Sequence, residues 1–155
     1  MEPIEPAKYQ DALRYVGEVL DSYGEEAFTV LEVPDGLEVV VDQDGGQSRA
    51  LVRIDRDQRS KGPGRGRTID PLWKSMGTTG GEFFEALGIE LERRGAHNIL
   101  IDRLAGELVL SYSFLDPLRG YAWGKSVAIL SISDMRRIFQ AGREEIRKTK
   151  KRWIF

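Results

Sequence analysis

The side chains able to do chemistry in this sequence are carboxylates, arginines and one histidine, because the chain contains no cysteine. Disulfides, thiolate nucleophiles and cysteine-bound zinc or iron–sulfur clusters are therefore excluded. The histidine is His97, and Asp102 follows it by five residues. Side chains at an odd spacing along a strand face opposite sides of the sheet, so we predict that these two do not form a catalytic pair. We interpret His97 as a polar residue at the start of a strand.

A phosphate-binding loop is suggested by Gly124-Lys125-Ser126, since such a loop ends in glycine, lysine and serine or threonine. The preceding glycine, Gly120, is one residue too close for that motif. The residues that follow are typical of an apolar strand, where the motif requires a helix. No serine lies in a Gly-x-Ser-x-Gly context either. We therefore predict neither a phosphate-binding loop nor a nucleophile elbow.

Two pairs of carboxylates lie one helical turn apart: Glu18 with Asp21, and Glu82 with Glu85. Such pairs could bind a hard cation through oxygen atoms alone. Acidic side chains on a helix surface near its N-terminus are also explained by solvation and by the helix dipole, which is the interpretation we favour. The sequence thus predicts no metal site, no cofactor and no catalytic residue. An enzyme with a dispersed carboxylate and arginine site is kept as a third hypothesis.

The clearest chemical signal is a run of cations on a glycine-bearing segment in the middle of the chain. Guanidinium groups bind phosphates in a bidentate manner, and a flexible backbone can follow a nucleic-acid strand. Trp73 lies just beyond the segment and could stack on a base. Asp55 and Asp57 weaken the positive field, which favours the alternative of a solvated loop that keeps the protein soluble. The candidate residues for binding an anionic partner here are Arg53, Arg56, Arg59, Lys61, Arg65 and Arg67.

A second group of cations belongs to a predicted C-terminal helix, residues 133–152. Its apolar residues recur at spacings of four and three, which predicts a face that packs on the sheet or on a partner helix. They are Met135, Phe139, Gly142, Ile146, Thr149 and Trp153. The rest of the helix is basic, and could bind nucleic acid, an anionic membrane surface or an acidic protein groove; a docked helix with a solvated basic face is the alternative. The candidate binding residues are Arg143, Arg147, Lys148, Lys150, Lys151 and Arg152, with Arg136 and Arg137 preceding them.

The net charge of −2 conceals a segregation of charge along the chain. The net charge is −10 over residues 1–48, +5 over 49–74, −3 over 75–135 and +6 over 136–155. This asymmetry indicates an anionic partner, or else acidic and basic parts that face each other within the fold or in a dimer.

Hydrophobic periodicity and turn residues predict three helices and six strands. The predicted helices are 6–23, 82–94 and 133 to at least 150, with a capping box from Thr79 to Glu82 and a cap at Ser133. The predicted strands are 27–33, 37–42, 48–54, 97–102, 107–114 and 125–131. Residues 55–78 are predicted to be a long exposed basic loop, and loops of this length are usually functional or disordered.

Several glycines and leucines recur after 71 positions. The pairs are Gly17 with Gly88, Leu20 with Leu91, Gly24 with Gly95, and Leu37 with Leu108. We predict two repeat halves, 6–54 and 79–131, each an α-β-β-β unit, with chance similarity as the alternative. The expected fold class is α+β: a mostly antiparallel sheet of five to six strands with helices packed on one face, in a single domain of residues 1–155.

The function we favour from the sequence is a non-catalytic binding module for an anionic partner, nucleic acid in particular. The alternative is a protein-interaction or chaperone-like module acting as a homodimer, because the element order is similar to that of small dimeric secretion-chaperone-like domains. No apolar run approaches the roughly 20 residues that cross a bilayer, and the first residues do not form a signal peptide. We therefore expect no integral membrane association and a cytoplasmic location.

Overall fold

The computed structural model describes residues 9–23, 27–43, 46–52, 71–104 and 107–153. Six strands form one fully antiparallel sheet and the main helices pack on one of its faces, so the predicted α+β class is confirmed. The helices are α1 (Gln10–Tyr23), α2 (Pro71–Ser75), α3 (Gly80–Arg93) and α4 (Ile132–Trp153), and a 3-10 turn spans Pro117–Arg119. The strands are β1 (Phe28–Val33), β2 (Gly36–Gln43), β3 (Gly46–Val52), β4 (His97–Leu104), β5 (Glu107–Asp116) and β6 (Ala122–Leu130).

The sheet consists of two three-stranded meanders joined at its centre. The strand order is β3-β2-β1-β4-β5-β6, and β1 pairs antiparallel with β4. Within this central pair Val30 lies opposite Ile101, the residue 71 positions later in the chain. The first hairpin of each half has the same register, since Val30 pairs with Val39 and Ile101 pairs with Leu110. An approximate two-fold axis normal to the sheet therefore passes between Val30 and Ile101.

The same relation holds where α1 and α3 cross. A Cβ atom added at Gly17 would lie 2.2 Å from the carbonyl oxygen of Gly80, and one added at Gly88 would lie 2.7 Å from the Cα of Gln10. Both contacts join the middle of one helix to the first turn of the other. Glycine is needed at both positions because only a helix without a side chain there allows the two backbones to approach so closely.

The edge strands β3 and β6 are also equivalent, although their spacing differs. Leu51 pairs with Glu38 and Ile129 pairs with Val109, so the spacing between edge strands is 129 − 51 = 78 residues. The turn between β5 and β6 is seven residues longer than that between β2 and β3, because 78 − 71 = 7. The aligned sequences are GQSRALV and GKSVAIL. The structural repeat thus extends over all six strands, while an origin by gene duplication stays a prediction.

The boundaries of α1 and α4 differ from those predicted. Tyr9 precedes the first helical residue, and α1 starts at Gln10 because the carboxylate of Glu92 accepts hydrogen bonds from the backbone N–H groups of both residues, at 2.8 and 3.4 Å. The predicted cap Ser133 is wrong. Ser131 caps α4 instead: its hydroxyl accepts the N–H of Asp134 at 3.1 Å, and the Asp134 carboxylate accepts the N–H of Ser131 at 3.0 Å.

Two further features lie close to their predicted positions. Thr79 caps α3 by accepting the N–H of Glu82 at 3.2 Å, whereas the Glu82 carboxylate accepts the hydroxyl of Thr78, so only half of a capping box forms. The predicted loop 55–78 contains α2 at its end, and residues 53–70 lie outside the described residues. Strand β6 starts at Ala122, three residues earlier than predicted, because it continues to pair with the end of β5.

Candidate anion-binding surface

Helix α4 is held on the fold by its apolar side. Met135, Ile138 and Phe139 are buried, and Gly142 lies so close to α3 that a Cβ there would meet that of Ala86 at 2.4 Å. Ile146 is half-buried further along the helix. The predicted packing face is therefore confirmed as far as Ile146, while the side chains of Thr149 and Trp153 lie outside the described residues.

The opposite side of α4 carries the predicted cations. Five of them have described side chains, and all five are exposed: Arg136, Arg137, Arg143, Arg147 and Lys148. The guanidinium of Arg143 lies over the ring of Phe139, with 5.5 Å between Cζ and the ring centroid. This contact fixes the stem of the side chain against the helix while its charged group faces solvent.

Two of these cations form ion pairs along the helix itself. Arg137 pairs with Asp134, and Lys148 pairs with Glu145 at 4.0 Å. The pKa of Asp134 is lowered by the N–H and hydroxyl of Ser131 and then by Arg137. Exposed pairs of this kind contribute little free energy, at most about 1 kcal/mol, so an incoming phosphate can replace the carboxylate.

A cleft of about 340 Å³ borders the middle of this surface, between α1, α3 and α4. Arg143 and Arg147 line one wall, and Glu82 and Glu85 line the other. Glu85 is engaged by Arg14 at 3.4 Å. The cleft has mixed charge, so the region of α4 that favours an anion is its outward face rather than this cleft.

The acidic first third of the chain does not neutralise α4 within the described residues. Asp21 binds the start of α3, Glu32 accepts the hydroxyl of Tyr9 at 2.5 Å, and Glu38 pairs with Arg49 at 3.3 Å. These carboxylates are thus occupied on the sheet and on the two central helices. The positive charge of α4 stays available to a partner.

Several predicted binding residues cannot be placed beside this surface. Trp73 is 1% exposed, and its ring stacks on Phe83 with centroids 4.7 Å apart. Phe84 meets the same ring edge-on at 5.7 Å, and the guanidinium of Arg103 lies 5.9 Å from its centroid. A ring so enclosed has no face for a base, so the predicted stacking role is wrong. Outside the described residues lie Arg53, Arg56, Arg59, Lys61, Arg65 and Arg67, together with the side chains of Lys150, Lys151 and Arg152.

A second group of arginines lies near α4 and was not predicted from the sequence. A cleft of about 440 Å³ between α3, α4 and β6 is lined by Arg93, Arg94 and Arg137. Arg93 and Arg94 both pair with the buried carboxylate of Glu90, at 3.1 and 2.9 Å. Burial alone would lower the pKa of Arg94, but hydrogen bonds to Tyr112 and Glu90 raise it overall. These arginines are occupied structurally, so they extend the positive field without being free ligands.

His97 and Asp102 face the same side of the sheet, and the prediction that they face opposite sides is wrong. A β-bulge between His97 and Leu100, with Asn98 at a φ of 52°, shifts the register by one residue. The His97 ring contacts Trp123 with centroids 5.3 Å apart, while the Asp102 carboxylate accepts the hydroxyl of Thr29 at 2.7 Å. The two side chains therefore have different partners.

The paired carboxylates also have structural partners. Asp21 accepts the N–H groups of Gly80 and Gly81, and Glu18 pairs with Arg14 at 3.5 Å. Across the described residues, no group of three or more histidine, aspartate or glutamate side chains is placed to hold a metal ion.

No protein-family model, no curated protein and no solved structure matches this chain. Among the described helices, none combines the length and the apolar content that crossing a bilayer requires.

Proposed function

We propose that this protein is a non-catalytic binding module for a polyanion, nucleic acid in particular, and that α4 provides the described part of its binding surface. The observation that supports this most directly is the outward face of α4. Its five described cations are all exposed, and the described acids of the first third of the chain bind elsewhere. A docked helix presents these charges in a fixed array, which limits the side-chain entropy lost on binding.

The Arg/Gly-rich segment 53–67 is the second part of the proposed surface. Its six cations stand on a sequence with glycines at positions 62, 64 and 66. We propose that α4 binds one stretch of the phosphate backbone and that this segment follows a neighbouring stretch. Contacts of this kind are independent of base sequence, so the expected binding is non-specific and dependent on salt.

The proposal is tested by measuring the affinity for labelled single-stranded RNA and double-stranded DNA between about 50 and about 200 mM salt, where phosphate contacts weaken steeply. The triple variant R143Q/R147Q/K148Q removes three charges from α4. We expect it to reduce the slope of log K against log salt by about 2 to 3, because each lost phosphate contact changes the slope by about 0.7 to 0.9.

The matched control removes three exposed charges elsewhere, in the variant K74Q/R119Q/K125Q. Both triple variants have the same net charge, so a loss confined to the α4 variant assigns binding to that helix. Equal losses in the two variants would assign binding to net charge alone and overturn the proposal, as would wild-type affinity that does not change with salt. A third variant, in which Arg56, Arg59, Lys61, Arg65 and Arg67 become glutamine, measures the contribution of the segment in the same assay.

We also propose a cytoplasmic location. The composition supports it, because the chain has no cysteine and gains nothing from an oxidising compartment.

A further inference from the structure

The face of the sheet opposite the helices is unusually apolar. In an antiparallel sheet with one covered face, the other face is normally polar. Here every strand contributes an apolar side chain to the uncovered face. We name these residues the outer band: Leu51, Val40, Leu31, Leu100, Val109, Val127 and Ile129, in sheet order from β3 to β6.

Much of the outer band is open to solvent. The exposed fraction is 43% for Leu31, 49% for Leu51, 64% for Val127 and 65% for Ile129. No described element packs on this face, since the contacts of all the described helices are with one another or with the inner side of the sheet. Contiguous exposed apolar surface of this kind on a folded domain is typical of an interaction site.

The order of residues across the outer face is close to a palindrome. One row of register partners runs apolar, polar, apolar, apolar, polar, apolar from edge to edge. It consists of Leu51, Glu38, Leu31, Leu100, Ser111 and Val127. The neighbouring row consists of Arg49, Val40, Thr29, Asp102, Val109 and Ile129. The centre of both rows is the boundary between β1 and β4.

This symmetry makes the face complementary to itself. Two copies can stack face to face about a two-fold axis that is parallel to the strands and lies over the boundary between β1 and β4. Leu31 then faces Leu100 of the second copy, Val40 faces Val109 of the second copy, and Leu51 faces Val127 of the second copy. An isologous interface requires such matching, because each position must contact its counterpart from the other copy.

The charges on this face do not prevent its burial. Glu38 is already paired with Arg49 at 3.3 Å, and Asp102 already accepts the hydroxyl of Thr29 at 2.7 Å. Lys125 lies on the edge strand, away from the centre of the outer band. Covering the face therefore leaves no central charge without a partner, which is the usual energetic obstacle to burying polar groups.

The size of the face is also sufficient. Six strands about 4.8 Å apart, each contributing about six residues at about 3.3 Å per residue, give an area of about 600 Å². Two such faces bury about 1,200 Å², more than the roughly 1,000 Å² expected of a specific interface. We propose that the outer face of the sheet binds a second copy of this chain, so that the protein is a homodimer of two stacked sheets.

The first test is the oligomeric state by sedimentation equilibrium, for the wild-type chain and for Val127→Arg. Arginine is compatible with folding at this position, because Arg49 occupies the equivalent site on the other edge strand. We expect a wild-type dimer and a folded monomeric variant. Leu118→Arg is the matched control: Leu118 is 95% exposed on the turn between β5 and β6, outside the outer band, so the dimer should persist.

The second test defines which face is buried. The chain has no cysteine, so Leu31→Cys and Leu100→Cys each introduce a single thiol. Stacked sheets lie about 10 Å apart, a distance that a short bismaleimide can span. We expect a mixture of the two variants to form more cross-linked dimer than a mixture of Leu31→Cys with Leu118→Cys. A monomeric wild type at high concentration, a dimeric Val127→Arg variant or equal cross-linking in both mixtures would each overturn the proposal.

Discussion

Asp21 and Glu92 stand 71 residues apart and perform the same task, because each carboxylate binds the first turn of the central helix of the other half. Asp21 accepts the N–H groups of Gly80 and Gly81 at 2.9 and 3.1 Å, and Glu92 accepts those of Tyr9 and Gln10 at 2.8 and 3.4 Å. A carboxylate in this position satisfies N–H groups that the helix itself leaves unpaired and interacts favourably with the helix dipole. Neither half therefore completes its own central helix.

We expect Asp21→Ala to destabilise the fold by about 2 kcal/mol, because it removes a buried carboxylate that accepts two charge-assisted hydrogen bonds. The free energy of unfolding is measured by urea denaturation. Glu18→Ala is the matched control on the same helix: its ion pair with Arg14 is exposed, so its loss should cost less than about 0.5 kcal/mol. Equal losses in the two variants would show that Asp21 does not act as a cap.

Gly17→Ala is expected to destabilise the fold although alanine favours helix formation. Alanine gains about 1 kcal/mol of helix propensity over glycine, but the new Cβ would lie 2.2 Å from the Gly80 carbonyl oxygen, which is backbone and cannot move aside. We expect a net loss of about 2 kcal/mol in urea denaturation. Gly46→Ala is the control, because no heavy atom lies within 4 Å of the Cβ it would add. A stabilised Gly17→Ala variant would contradict the close helix crossing.

Ser131→Ala and Ser133→Ala distinguish the observed cap of α4 from the predicted one. The hydroxyl of Ser131 accepts the N–H of Asp134, whereas Ser133 is exposed within the first turn. Loss of an N-cap serine typically costs about 1 kcal/mol, so we expect this effect at Ser131 alone. The two unfolding free energies are compared by urea denaturation, and a larger effect at Ser133 would restore the prediction made from the sequence.

The sequence was sufficient to place most of the helices and strands, because the hydrophobic period and the turn residues act locally. It was sufficient for the packing face of α4 for the same reason: residues such as Met135 and Phe139 share one side of any helix. It also revealed the spacing of 71 residues in the helices and in the first hairpin of each half. The similarity of β3 and β6 was missed, because the longer turn before Ala122 changes that spacing to 78.

The errors concern contacts between residues that are distant in sequence. Trp73 was assigned to a loop because its neighbours are charged and glycine-rich, yet α2 inserts it against Phe83 and Phe84. The bulge at Asn98 depends on tertiary contacts, including the hydrogen bond from its N–H to Glu32 at 3.2 Å, so no local pattern could reveal the face that His97 occupies. The apolar outer band was also missed, since alternation along a strand does not show which face the helices cover.

We expect Trp73→Ala to cost about 3 to 5 kcal/mol of stability, because it empties a fully buried aromatic site. It should leave the affinity for RNA unchanged at temperatures where the variant is folded, since its ring is enclosed by the core. Trp123→Ala is the control for stability: Trp123 is 52% exposed, so the loss should be smaller. Weaker RNA binding by the folded Trp73→Ala variant, without weakening in the Trp123→Ala variant, would restore the stacking role predicted from the sequence.

The buried pair of Tyr9 and Glu32 should control stability at alkaline pH. Burial raises the pKa of the Tyr9 hydroxyl above its ordinary value, and the hydrogen bond to Glu32 raises it further. The unfolded chain releases this proton near pH 10, while the folded chain retains it. The stabilisation is thus fully present below about pH 10 and is lost as the pH rises towards the folded pKa, by up to about 1.4 kcal/mol per pH unit. Tyr9→Phe should lower stability at neutral pH by about 1 to 3 kcal/mol, because it removes a hydrogen bond to a carboxylate.

The same substitution should make the alkaline loss of stability shallower, because the variant no longer has this proton to release. Thermal unfolding midpoints measured between about pH 8 and about pH 11, on either side of the ordinary tyrosine pKa, give both effects. Tyr121→Phe is the matched control, since the side chain of Tyr121 is 69% exposed and should affect neither quantity. Lysines and other tyrosines titrate in the same range, so the decisive quantity is the difference in slope between variants. Parallel midpoint curves for the wild type and Tyr9→Phe would show that the buried hydroxyl is not linked to folding.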